Sequence, residues 1–521
     1  MNMILKLKNF YDTGAANRAA FNTILIYTQR FFAAGLSLFT TPLLLKALGI
    51  EDYGIYALTI GFVGMLAVLN WSLSNATQRY TAFAIGEGDY EKLKKVFSTS
   101  LVIHFLYGLL LFLIVIGISF FFVEDFLNIP AGKVALAKNV LNIVAIISFL
   151  SILTIPFLGI LKSQESFLSI SLIGIIESIF KLVIAILLLQ LASDRLMVYA
   201  LLLLVVSIVS FSIYVYVVKR NYKMVSVSAK YYDKSQAKEM SSFLSWSLVG
   251  SLALTSRNEG VQVLLNIFFG VVLNAAYGIA MQINAAMSIL SQGVLGSLSP
   301  QIIKSAGQKD FTKMIFLMRT MSKFAIFSVS IFAIPLFFEC GTILQLWLGK
   351  VPSNTIIFVR LFIIFGQIML LSAGIQNVFD ALGKVKEYNL WVSLILLLNL
   401  PFAYVFFKLG FPPYIIIIVG MILELFSLQV RLYLLKKHVD FSILNFYADT
   451  IRRVIFPSLC IASLLFSIRY LELNTYAHLI ITFLLSVLFY PFLIYYLSLE
   501  TKQKEILTGF LSKIKWLKIK K

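Results

Sequence analysis

Apolar stretches of twenty residues or more, nearly free of charge, recur from one end of this chain to the other. Such a stretch is long enough for an α-helix to cross the ~30 Å hydrocarbon core of a bilayer. Lipid offers the backbone no hydrogen-bond partners, so a crossing segment must be a helix or part of a closed barrel. Barrel strands would alternate polar and apolar residues over about ten positions, and these runs do not alternate. Spans are predicted near 21–46, 54–76, 97–123, 135–160, 167–190, 196–218, 243–269, 273–300, 321–344, 354–383, 389–407, 412–430, 454–471 and 476–499. The fold class is an all-α integral membrane protein of about 14 transmembrane helices. Composition agrees: 60% of residues are hydrophobic and 13% charged, against about 25% charged in soluble domains. Cys340 and Cys460 lie far apart in apolar stretches and read as packing residues.

The net charge of +20 reflects topology. With the N-terminus inside, roughly three quarters of the 44 lysines and arginines fall on the cytoplasmic side, as the positive-inside rule requires. Both termini are placed in the cytoplasm, the membrane is the bacterial cytoplasmic (inner) one, and anionic membrane lipids account for the basic balance without a nucleic-acid partner. Residues 1–20 interleave Ile4, Leu5, Leu7 and Phe10 with Lys6 and Lys8, which reads as an interfacial helix and not a cleavable signal peptide.

An internal repeat is visible. Leu48-Gly49, then Tyr53-Gly54-Ile55-Tyr56-Ala57, then Gly86, Asp89 and Tyr90 are echoed by Phe269-Gly270, Tyr277-Gly278-Ile279-Ala280, Gly307, Asp310 and Phe311. Gly49 to Gly270, Asp89 to Asp310 and Leu161 to Leu382 are each displaced by 221 residues. Six spans per half keep both copies in the same orientation, a parallel pseudo-two-fold repeat about the membrane normal. The expected division is an N-terminal lobe at 1–218, a cytoplasmic linker at 219–242 and a C-terminal lobe at 243–436. Residues 437–521 then supply two further helices and a basic tail.

Leu44-Leu45-Lys46-Ala47-Leu48-Gly49, Asp52-Tyr53-Gly54-Ile55-Tyr56, Gln78-Arg79-Tyr80 and Gly86-Glu87-Gly88-Asp89-Tyr90 together resemble the start of Wzx-type polysaccharide and O-antigen flippases. These form the polysaccharide transport family of the multidrug/oligosaccharidyl-lipid/polysaccharide exporter superfamily. The resemblance implies two lobes around a central cavity and alternating access. It implies a substrate, an undecaprenyl-diphosphate-linked oligosaccharide, moved from inner to outer leaflet for surface polysaccharide biosynthesis beside a polysaccharide polymerase complex. A lipid II flippase and a cation-coupled multidrug exporter of the same superfamily are the alternatives.

Polar residues inside the spans mark candidate sites, because an ionisable group at mid-bilayer costs about 2.5–3.5 kcal/mol on insertion scales. Ser247, Ser251, Thr255, Asn258, Gln262 and Asn266 recur every three or four residues and line one face of a helix. Arg257 and Glu259 flank that stripe. The face suits sugar hydroxyls and Arg257 a diphosphate, while interhelical packing is the competing account. Thr23, Tyr27, Arg30, Ala34, Ser37 and Thr41 form a similar face, with Arg30 placed to receive a diphosphate or to snorkel to headgroups. Arg360, with Gln367 on its face, is placed to snorkel to the outer surface or to complete a cationic ladder of Arg30, Arg257 and Arg360. Asn70, Ser74 and Gln78 match Asn284, Ser288 and Gln292 in the second copy as glycan contacts. Glu177 and Lys181, at i and i+4, read either as an ion pair within one helix or as a coupling site, for which Glu259 is a second candidate. Glu424 is expected to share a face with Arg431 and reach water, and His104 to be a core residue.

No P-loop, H-E-x-x-H or cysteine cluster is present, so neither an enzyme nor a metal site is expected. Without a nucleotide site, the expected driving force is a proton or sodium gradient or the membrane potential, and no cofactor is expected.

Overall fold

The computed structural model describes residues 15–121, 123–190, 194–223, 225, 229–468, 470 and 474–505; side chains at 15–24, 27, 62–73, 75–76, 79, 83, 86, 229, 242–259, 297, 300 and 385 are outside the description. Residues 1–14 of the interfacial helix expected at 1–20 and the basic tail beyond 505 fall outside it too.

Every assigned element among the described residues is helical. The long helices are α1 (Ala15–Gly86), α2 (Tyr90–Phe121), α3 (Val134–Ser163), α4 (Phe167–Leu188), α5 (Arg195–Asn221), α6 (Lys234–Phe269), α7 (Val271–Gly307) and α8 (Phe311–Leu348). There follow α9 (Thr355–Leu371), α10 (Ala373–Leu382), α11 (Val385–Leu397), α12 (Asn399–Lys408), α13 (Ile415–His438), α14 (Arg452–Ile468) and α15 (Thr475–Leu493). Among the described residues, 12 helices are long and apolar enough to cross a membrane. The two other predicted spans, 54–76 and 243–269, are helical throughout, within α1 and α6. The chain is a multi-pass integral membrane protein. Its helices turn large apolar side chains outward as well as inward: on α2, Ser100 and His104 are buried with Phe97 and Leu111, whereas Leu106, Leu110 and Leu113 are exposed. An apolar exterior suits lipid as the solvent.

By packing, the chain forms two units, Met1–Gly278 and Ile279–Lys521. In the first, α1 packs on α3, α4 and α6, and α3 on α2 and α5. In the second, α8 packs on α9, α10, α14 and α15, and α13 on α9, α11 and α12.

The 221-residue repeat reaches the level of single hydrogen bonds. Gly49 breaks α1 at φ 79°, ψ 172°, and Gly270, between α6 and α7, has φ 81°, ψ −177°. A β-carbon disfavours that region, which is why glycine stands at both sites. After α1, Gly88 N–H donates to Ile85 O (3.0 Å) and Asp89 N–H to Ala84 O (3.2 Å). After α7, Lys309 N–H donates to Ala306 O (3.0 Å) and Asp310 N–H to Ser305 O (3.0 Å). Each aspartate then caps the next helix, Asp89 Oδ1 accepting from Lys92 N–H (2.9 Å) and Asp310 Oδ1 from Lys313 N–H (3.0 Å).

Two predicted spans are interrupted. The segment 354–383 divides into α9 and α10 at Ser372. Ser322 of α8 stitches the break: its hydroxyl donates to Leu371 O (3.0 Å) and accepts from Gly374 N–H (3.3 Å). The segment 389–407 divides into α11 and α12 at Leu398, three residues before Pro401, which has no N–H to continue the helical ladder.

Candidate functional site

In the first unit, α1, α3, α4 and α5 enclose a cavity of about 500 Å³. Its wall carries Glu177 and Lys181 from α4 and the hydroxyls of Tyr56, Ser151, Thr154, Ser207, Ser210 and Tyr214. Thr154 and Ser207 return their hydroxyl protons to carbonyls of their own helices, Leu150 O (2.8 Å) and Leu203 O (3.0 Å), leaving oxygen lone pairs toward the space. Tyr56 and Tyr199 hydroxyls pair at 3.2 Å. No ion pair joins Glu177 to Lys181 among the described residues. Two opposite charges thus share one chamber without neutralising each other by contact, which suits exchange of a proton or small cation.

A second polar cluster in this unit contains a residue that the sequence did not flag. Lys162, at the end of α3 and half-buried, donates from Nζ to the Ser74 hydroxyl (2.8 Å). Arg30 is exposed and lies near enough for its charge to act on Lys162. Lys162 counts as an ordinary basic loop residue in a charge tally; Ser74, on the polar face with Asn70 and Gln78, was the one available signal. Gln78 is half-buried, and its backbone carbonyl accepts from Thr81 (3.1 Å) and Ser163 (3.3 Å). The Asn70 side chain lies outside the described residues.

The α6 stripe divides. Side chains of Ser247, Ser251, Thr255, Arg257, Asn258 and Glu259 lie outside the described residues. Gln262 is buried against Gly61, where a β-carbon would come within 3.0 Å of it, and its carbonyl accepts from Asn274 Nδ2 (2.7 Å). Asn266 is fully buried: Oδ1 accepts from Asn128 N–H (2.9 Å) and Nδ2 donates to Asn128 O (3.4 Å). The Asn266 amide thus holds α6 to the loop at Asn128, and the Asn274 amide ties α7 to the Gln262 backbone carbonyl.

In the second unit, Arg360 donates from Nε to Phe337 O (3.0 Å), with its guanidinium 5.5 Å from the Phe337 ring. Asn284 is half-buried beside Gly366. Gln367 accepts from the Ser330 hydroxyl (3.1 Å), and both line an almost wholly apolar cavity of about 630 Å³ between α8, α9, α13 and α14. Glu424 departs from expectation. It is buried, not wet, and accepts from Arg431 Nη1 at 2.6 Å; a buried carboxylate needs such a partner. Lys323, also fully buried, donates to Glu500 (3.1 Å) and Gln503 (3.0 Å) beyond α15. His104 is a buried core residue, with Nδ1 2.6 Å from Ser100 O. Among the described residues, no group of three His, Cys, Asp or Glu is placed to hold a metal.

Residues 29–187 match the MatE family model. The uncharacterized membrane protein EpsK of Bacillus subtilis (strain 168) is 24% identical over 337 residues, which is 64% of this chain and 66% of that protein's length. Among solved structures, an inward-facing multidrug resistance MATE family transporter of the MOP superfamily aligns with a TM-score of 0.64 at 16% identity, over 79% of this chain and 96% of that one. The chain shares that transporter's fold. Within this fold, lipid II flippase MurJ in an inward closed conformation gives a TM-score of 0.70 at 15% identity, over 90% of this chain and 98% of that one. At such identities the likeness shows the fold alone and leaves the substrate to the residues.

Proposed function

We propose that this chain is a flippase of the bacterial cytoplasmic membrane. It moves undecaprenyl-diphosphate-linked oligosaccharide repeat units from inner to outer leaflet by alternating access, with both termini cytoplasmic, and hands them to a polysaccharide polymerase complex. The supporting observation is the Lys162 ammonium, held by the neutral Ser74 hydroxyl and within electrostatic reach of Arg30. Two cations within reach of one another suit an anion with more than one charge, and a diphosphate is one. Arg257 and Arg360 are the further candidate contacts to the diphosphate, and Asn258, Asn70, Gln78, Asn284, Gln262 and Asn266 are the candidate sugar contacts. Of these, Asn266 would have to release Asn128 to serve. The apolar cavity of the second unit offers room for a polyprenyl chain.

In cells lacking this chain, mass spectrometry of extracted polyprenyl-linked intermediates is expected to find complete diphosphate-linked repeat units accumulating, with surface glycan lost. If no lipid-linked sugar accumulates, the reading fails. Accumulation of lipid II instead selects the second reading, a lipid II flippase, which the MurJ-like fold over 90% of the chain favours.

The drive is a proton or sodium gradient acting through Glu177, with Lys181 the neighbouring charge. Glu177→Gln keeps shape and removes titration. In proteoliposomes its transport is expected to lose stimulation by an imposed gradient, by about 5- to 150-fold for a typical coupling free energy. Equal stimulation of variant and parent would remove Glu177 from the coupling.

A further inference from the structure

The internal repeat allows the first unit's chamber to be compared, position by position, with its counterpart. Ser151, Leu203 and Ser210 line the open cavity of the first unit. Displaced by 221, these positions become Ser372, Glu424 and Arg431. The same three residues form one buried network: Arg431 Nη1 donates to Glu424 Oε1 at 2.6 Å and to the Ser372 hydroxyl. Its guanidinium also lies 5.8 Å from the Tyr388 ring. Glu424 is 2% exposed and Arg431 6%. The first unit's charged residues, Glu177 and Lys181, correspond to Leu398 and Phe402. Each unit therefore holds one acid and one base around these positions. In the first both line an open cavity; in the second they are buried and hydrogen-bonded to each other.

We propose that the second unit's chamber is a cation site whose cation is tethered: the Arg431 guanidinium sits against Glu424 where the first unit leaves room for a free cation or proton. Emptied of that side chain, the chamber becomes a binding site for a small planar monovalent cation, guanidinium above all. The match is chemical, because a carboxylate, a hydroxyl and an aromatic face are the partners such a cation takes. If Glu177 is the coupling carboxylate, a point that rests on the function proposed above, ion exchange belongs to the first unit alone.

The test uses the purified full-length chain in lipid nanodiscs and reads thermal unfolding, so it does not depend on what the chain transports. Arg431→Ala is expected to lower Tm on the order of 10 °C, since it strands a buried carboxylate. Guanidinium chloride at low millimolar concentration is expected to restore much of that loss and to saturate, whereas sodium chloride at equal ionic strength is not. The parent chain and the Glu424→Gln, Arg431→Ala double variant are expected not to respond. A second variant, Glu424→Leu with Arg431→Ser, installs the first unit's residues and is expected to unfold within a few degrees of the parent, because removing both partners leaves no stranded charge. A folded Arg431→Ala chain indifferent to guanidinium overturns the proposal. Should that variant not fold, the double exchange decides: parent-like unfolding supports the proposal, and a loss as large as that of Glu424→Gln alone overturns it.

Discussion

Replacing Arg30 and Lys162 together with alanine is expected to reduce transport by roughly two to four orders of magnitude, in a protein that still folds. Hydrogen bonds to charged groups contribute about 1.5–3 kcal/mol each, so losing two such contacts to a diphosphate removes about 3–6 kcal/mol, or a factor of about 10² to 10⁴. The measurement is flux of lipid-linked oligosaccharide per folded transporter in proteoliposomes at sub-saturating substrate. Folding should survive because Arg30 is exposed and Lys162 half-buried, and the Lys162 contact at issue is one hydrogen bond to Ser74. Parent-like flux in the double variant would refute an anion site here.

Two companions separate charge from scaffolding. Ser74→Ala removes the hydroxyl that positions Lys162 yet leaves both cations, so its flux should fall far less. Lys162→Arg keeps the charge and widens its reach, and should retain most transport. If Lys162 served only to brace α3 on α1, Ser74→Ala would instead match Lys162→Ala.

The fold was legible in the sequence wherever a single segment carries its own physics. Length and apolarity of a run decide that it crosses lipid, and the predicted spans coincide with helices for that reason. Gly49 and Gly270 were legible as punctuation because the backbone there, near φ 80°, admits few other residues. Periodicity gives the face a residue occupies and is silent on what that face meets. Asn266 lies on a polar stripe that suits a sugar, yet it clasps a backbone 138 residues away. Lys162 finds Ser74 across 88 residues, and Ser322 interrupts a predicted span 49 residues further on. Glu424 was placed toward water from its nearness to a span end. The Arg431 charge two turns along, seen in the sequence, proved to be its buried partner.

Alanine at Gly54 is expected to prevent the first unit from assembling, so that no monodisperse protein is recovered in detergent. Gly54 stands in the Tyr-Gly motif of the first repeat, within helical backbone, so its conformation makes no demand for glycine. Space does: a β-carbon there would lie 2.0 Å from Val271 O and 2.8 Å from Val271 C. These are backbone atoms at the start of α7, immediately after Gly270, and Val271 itself is buried. No rotamer change can relieve the overlap; α1 and α7 would have to separate by more than an ångström along a packed seam. Overpacking a core by a single carbon costs about 1–3 kcal/mol when side chains can yield, and here they cannot. Gly374 makes the parallel case in the second unit, with a β-carbon 2.3 Å from Met318 O. The control is Gly293, also helical, where a β-carbon meets nothing within 4 Å. Gly293→Ala should be neutral or stabilise by up to about 1 kcal/mol through helix propensity. Size-exclusion profiles and Tm of the three variants decide the matter: a folded Gly54→Ala chain with parent-like Tm would show that α1 and α7 do not close on each other at this glycine.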